Sequence, residues 1–109
     1  MTTEKATISS KLRELEKKLG HLVFTFNSNR RMMGSCQGWL DHVVINTRKL
    51  CIWFIEVKIG RDQLSARQQL LKWTLMKLEQ LMPADGRVVC YRVVNEKNID
   101  MIIDEIVQS

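Results

Sequence analysis

Three residues of this chain could share one piece of chemistry: Asp41, Glu56 and Lys58. Side chains alternate across a β-strand. In Ile55-Glu56-Val57-Lys58-Ile59 the carboxylate of Glu56 and the ammonium of Lys58 therefore share one face, and Val57 points to the other. They follow the apolar run Cys51-Ile52-Trp53-Phe54-Ile55, and polar groups at the end of a buried strand need a partner or a task. A strand running out into solvent accounts for this tripeptide equally well. Asp41 shifts that balance, because it starts the preceding β-rich run. If Thr47 to Leu50 forms a four-residue loop, Asn46 faces Cys51 and Asp41 faces Glu56. A shorter loop would leave the two carboxylates diagonal or on opposite faces. In the first register two acids converge beside a lysine, and like charges that close repel unless a cation lies between them. An all-oxygen site of that kind suits Mg²⁺, with Mn²⁺ as a substitute, and such ions keep waters and borrow ligands from phosphate.

Two further polar residues fall on otherwise apolar stripes. Gln68 lies on the stripe Leu64, Gln68, Leu71, Leu75, Leu78 and is its only polar member. It could reach the site, or it could close the capping box of Ser65-Ala66-Arg67-Gln68. Glu4 extends the stripe Ile8, Leu12, Leu15, Leu19 by one step, and an acid in a first helical turn is also favoured by the helix dipole alone.

The elements that must position these residues read in a simple order. A helix is expected over Thr3–Leu19 with Gly20 as its C-cap, followed by strands at Leu22–Phe26, Asp41–Asn46 and Cys51–Ile59. The continuous apolar run in the last of these marks a central strand covered on both faces. A helix follows over Leu64–Leu81, with Leu71, Leu75, Leu78 and Met82 on one face. Pro83–Gly86 breaks the chain, Arg87–Val94 is a fourth strand, and Ile99, Ile102, Ile103 and Ile106 mark a last helix. This order gives a single α/β domain over residues 1–109, a four-stranded mixed sheet flanked by helices.

The composition fits that reading. Of 109 residues 45% are hydrophobic and 27% charged, an ordinary globular mix. The net charge of +5 favours a polyanionic partner without identifying one. Cys36, Cys51 and Cys90 have no Cys-x-x-Cys spacing, which points to reduced structural thiols. With no signal-like opening and no apolar run of membrane-spanning length, the expected setting is cytoplasmic, nucleoid-associated or, for a viral protein, the host cytoplasm.

Asp41, followed after a turn by Glu56-Val57-Lys58, resembles the PD-(D/E)XK nuclease superfamily. More closely, Gly38-Trp39-Leu40-Asp41, then Ile55-Glu56-Val57-Lys58, then Leu64-Ser65-Ala66-Arg67-Gln68 is similar to the VRR-NUC family, and Glu4-Lys5 is similar to its N-terminal acidic helix. The family has a proline where this chain has Leu40. The resemblance implies a restriction-endonuclease-like αβββαβ core and a magnesium-dependent DNA endonuclease of the stand-alone, Holliday junction resolvase-like type. Asp41, Glu56 and the Val57 carbonyl would hold the metal, Lys58 would act on the attacking water or the developing charge, and Gln68 and Glu4 would support the site's edge. It also implies a homodimer, since paired cuts in a four-way junction need two symmetric sites. Looser specificity for flap or duplex DNA, or a non-catalytic DNA-binding module, are the alternatives.

Arg30, Arg31, Arg61 and Arg67 are candidates to grip phosphates on either side of the site, and a solvated basic loop accounts for them equally well. Trp39 and Trp53 read as packing residues, His42 as pointing away from Asp41, and His21 as a surface residue. Leu70, Trp73 and Met76 form a second apolar patch off the main stripe, the kind of surface that marks a subunit contact.

Overall fold

A computed structural model describes residues 4–26, 40–60, 63–83 and 85–108, with the side chains of residues 4 and 5 left aside. The elements are α1 (Glu4–Leu19), β1 (Leu22–Thr25), β2 (His42–Asn46), β3 (Cys51–Val57), α2 (Ala66–Leu81), β4 (Val89–Val94) and α3 (Ile99–Gln108). The strands form one sheet in the order β1-β2-β3-β4, antiparallel except for the parallel β3–β4 pair. The expected mixed α/β sheet is therefore present, and β3 is an inner strand.

The two faces of the sheet carry different layers. On one, Ile8, Leu12 and Leu15 of α1 and Ile99, Ile102 and Ile106 of α3 pack against Val44, Cys51, Trp53, Ile55, Val57, Cys90 and Val94. These helical positions repeat at three and four residues, so each helix turns one apolar stripe inward. Gly20 ends α1 in the left-handed region at φ 74°, and its N–H reaches the Glu16 carbonyl at 3.1 Å. On the other face α2 covers less: Leu75 is its one buried residue among those described, packing with Leu40 and Tyr91. Leu71 lies against that cluster, but Leu78, expected to point inward, is 44% exposed. Glu79 turns inward in its place. Its carboxylate accepts from the Tyr91 N–H at 2.9 Å and from Arg92 Nη1 at 2.8 Å. Gln68 is thus not the sole polar residue facing inward from this helix.

His21, expected at the surface, is buried, and its Nδ1 accepts from the Thr47 N–H at 3.2 Å. This contact ties the end of α1 to the β2–β3 turn. Trp53 lies in the core as expected, with the Arg92 guanidinium 5.1 Å from its ring centroid. Cys51 and Cys90 are free and buried, their sulfurs 3.8 Å apart, and burial pushes the Cys90 thiol up to about 12. Both stay protonated at neutral pH and behave as small apolar residues.

Asn46 organises the turn between β2 and β3. Its buried side chain accepts from the N–H groups of Arg48 and Lys49, each at 3.0 Å, and donates to the Ile106 carbonyl at 3.0 Å. The turn spans residues 47–50, and Leu50 closes it at φ 55° with its N–H on the Asn46 carbonyl. Pairing of Asn46 with Cys51 and His42 with Ile55 follows, the register of the four-residue loop. Asn46→Ala is expected to destabilise the fold by about 2–4 kcal/mol, because two donors and an acceptor lose their partner. Urea unfolding would show a lower midpoint with an unchanged slope; an unchanged midpoint would mean that the turn is held by something else.

Candidate active site

The register continues one step beyond β2 and sets Asp41 opposite Glu56 on the face that carries α2. Asp41 is anchored by its own carboxylate, whose Oδ2 accepts from the Val57 N–H at 2.8 Å. Its carbonyl accepts from the Phe26 N–H at 2.8 Å, which carries the β1–β2 pairing up to the site. Leu40, where the resembled pattern has proline, is 1% exposed and fills the cluster under α2. An apolar side chain there fixes the approach to Asp41 by packing rather than by restricting the backbone.

Glu56 is 2% exposed, and two groups reach its Oε1. Gln68 Nε2 donates to it at 3.0 Å, and Lys58 Nζ stands 3.6 Å away. Gln68 also caps its own helix: its Oε1 accepts from the Ser65 N–H at 3.0 Å, and its N–H donates to Ser65 Oγ at 3.2 Å. The capping box and the site contact therefore use opposite ends of one amide. Through that amide the N-terminus of α2 is fastened to the buried acid of β3. Lys58 lies just past the strand, with its N–H on the Val94 carbonyl at 2.9 Å, and its side chain is partly open to solvent.

Burial, and then the Asp41 charge, raise the Glu56 carboxyl from the ordinary range to about 8, while Lys58 pulls the other way. Among the described residues no third His, Cys, Asp or Glu joins this pair. A cation held here would take two carboxylates from the protein and complete its shell with carbonyl, water or substrate oxygens. That donor set fits Mg²⁺ or Mn²⁺ rather than a thiophilic ion.

A solved structure described as a VRR_NUC domain superposes on this chain with a TM-score of 0.60 at 24% sequence identity, covering 94% of this chain and 97% of that one. This chain has the VRR_NUC fold. No protein-family model and no curated protein matches the sequence. Within the VRR_NUC fold, Asp41, Glu56, Lys58 and Gln68 are brought together as a group. Glu4 opens α1, but its side chain lies outside the described residues, as do Arg30, Arg31 and Arg61. Arg67 is exposed in the first turn of α2, directly before Gln68. His42 points into the opposite face, buried between Ser9 Oγ at 3.3 Å and Thr25 Oγ1 at 3.1 Å. Sequence reasoning missed Tyr91, a buried residue of β4 that lies on the site's face of the sheet. A lone tyrosine in the run Val88-Val89-Cys90-Tyr91 gives no signal beyond core packing.

The raised Glu56 carboxyl has a consequence for stability. Its folded-state value lies above its unfolded one, so the contribution of Glu56 to stability is fully present below the ordinary carboxylate range. That contribution is lost as pH rises from about 4.5 to about 8. In Glu56→Gln this loss should largely vanish, and Mg²⁺ should reverse it in the wild type by binding only the folded, ionised form. Thermal melts between pH 5 and pH 9, with EDTA or Mg²⁺, check this; identical pH profiles for wild type and variant would refute it.

Proposed function

We propose that this protein is a divalent-metal-dependent DNA endonuclease with its centre at Asp41, Glu56 and Lys58. The observation that carries the reading is the buried Glu56 carboxylate facing Asp41. A module that only bound DNA would gain nothing from two acids turned toward a phosphate, since without a cation they repel it. A divalent cation supplies the missing charge, polarises the phosphate and lowers the pKa of a bound water. Asp41 and Glu56, with the Val57 carbonyl, would hold it. Asp41 is kept in place by the Val57 N–H, and Gln68 restrains Glu56 by donating to its Oε1. Lys58, 3.6 Å from Glu56, would orient the attacking water or take up charge developing on the phosphate. Glu4 is assigned to the edge of this site, and Arg30, Arg31, Arg61 and Arg67 to phosphates flanking the cut, contacts that position DNA without reading its sequence.

The reading extends to branched DNA and a homodimer. α2 exposes Leu70 (69%), Trp73 (66%), Met76 (38%) and Leu81 (81%), an apolar surface on a helix that buries only Leu75 among the described residues. A contact between two copies through that surface would cover it and supply two sites related by symmetry, the requirement for paired cuts in a four-way junction.

Labelled four-way junction, flap and linear duplex DNA are incubated with Mg²⁺, Mn²⁺ or EDTA, using wild type, Glu56→Ala and Trp73→Glu. Metal-dependent cleavage is expected, lost at least 100-fold in Glu56→Ala. Symmetric nicks in the junction should disappear in Trp73→Glu, which should sediment as a monomer. A folded wild type that cuts none of the three substrates would rule out the nuclease reading. Cutting of flap or duplex as readily as junction would leave the nuclease and remove the resolvase.

A further inference from the structure

Tyr91 belongs to the floor of the site. In the parallel register it pairs with Phe54, one same-face step before Glu56, and it packs against Leu40, the residue preceding Asp41. Its backbone is fully engaged, the N–H on Glu79 Oε1 and the carbonyl on Arg92 Nη1. Its hydroxyl has no hydrogen-bond partner among the described residues, although the residue as a whole is only 4% exposed. Nor is that hydroxyl sealed in the core. Among the described residues, the buried side-chain nitrogens and oxygens without a partner come down to Trp53 Nε1. A phenol ring packed on the site's face of the sheet, one step from the strand position of Glu56 and with its polar tip left uncommitted, is an unusual use of a buried tyrosine.

We propose that the Tyr91 hydroxyl is a further substrate-contacting group of this site, donating a hydrogen bond to a non-bridging oxygen of the scissile phosphodiester. The inference rests on the nuclease reading. A phenol is an uncharged hydrogen-bond donor at neutral pH. A neutral donor adds no charge to the cation site, in contrast to Lys58. It acts where negative charge grows on phosphate oxygen, and the rigid ring means it needs no rearrangement to do so. The ring also has Leu75 of α2 against it, so its position is coupled to the helix that carries Gln68.

Tyr91 is the one tyrosine in the chain, so ¹³Cζ-tyrosine labelling gives a single NMR resonance that reports on it alone. That resonance is expected to move in Glu56→Gln and on addition of Mg²⁺ to the wild type. Tyr91→Phe is expected to keep the wild-type melting temperature to within about 3 °C and to bind Mg²⁺ within about threefold of wild type by calorimetry. Its kcat should fall about 10- to 100-fold with little change in KM. A resonance that ignores Glu56→Gln, or a Tyr91→Phe enzyme with wild-type kcat, overturns the assignment. If the wild type cleaves no DNA, the nuclease reading fails and the proposed role of Tyr91 with it. The resonance still decides whether the phenol faces the acids.

Discussion

The site depends on one constraint, the register between β2 and β3. Because side chains alternate across a strand, a slip of one residue would turn Asp41 away from Glu56 and send the apolar set of β2 into the wrong layer. Asn46 holds that register from the far end of the hairpin. It gathers two turn amides and the Ile106 carbonyl, and so joins the turn to α3. The core on the α1/α3 face reinforces it, since Val44, Trp53 and Ile55 fit that layer only in this pairing. A short polar turn thus determines the geometry of two acids at the opposite end of the strands.

That geometry carries an electrostatic cost that the rest of the fold limits. An ionised carboxylate as buried as Glu56 needs compensation, and the fold supplies one amide donor and one ammonium at 3.6 Å. This is too little to hold the acid in its ordinary range beside Asp41, and so the carboxyl rises to about 8. On the proposed reading, ionisation of Glu56 would be coupled to binding a cation. Metal uptake and loss of that proton would then be one event. The α2 N-terminus would share in it because the Gln68 amide links Ser65 to Glu56.

Much of this was legible in the sequence, and for identifiable reasons. The polar stretch Thr47-Arg48-Lys49 between two β-rich runs marked a turn and offered a four-residue loop beside shorter ones; the structure adopts the four-residue loop, and that length decides which residues face each other. Gln68 offered two readings, cap or site, and the amide has the two ends needed for both. The inward face of α2 was harder, because Leu78 and Glu79 follow Leu75 at three and four residues and either can turn inward. The choice is made by Arg92, Arg87 and the Tyr91 N–H, which bind Glu79 and are long-range partners that helical periodicity does not contain. His21 was misplaced for the same reason, since its partner Thr47 lies in a distant turn. Tyr91 stayed hidden because a tyrosine in an apolar strand has the same local pattern whether its hydroxyl is idle or engaged.

The claim on which the account turns is that the Asp41–Glu56 pair is built to take a divalent cation. Crystals grown with Mn²⁺ and measured at the manganese absorption edge test it directly. The account predicts an anomalous peak between the two carboxylates, within about 2.3 Å of an oxygen from each, and no such peak in Glu56→Gln. Manganese bound elsewhere on the protein, or a pair of carboxylates left metal-free at saturating Mn²⁺ and pH above 8, would contradict it.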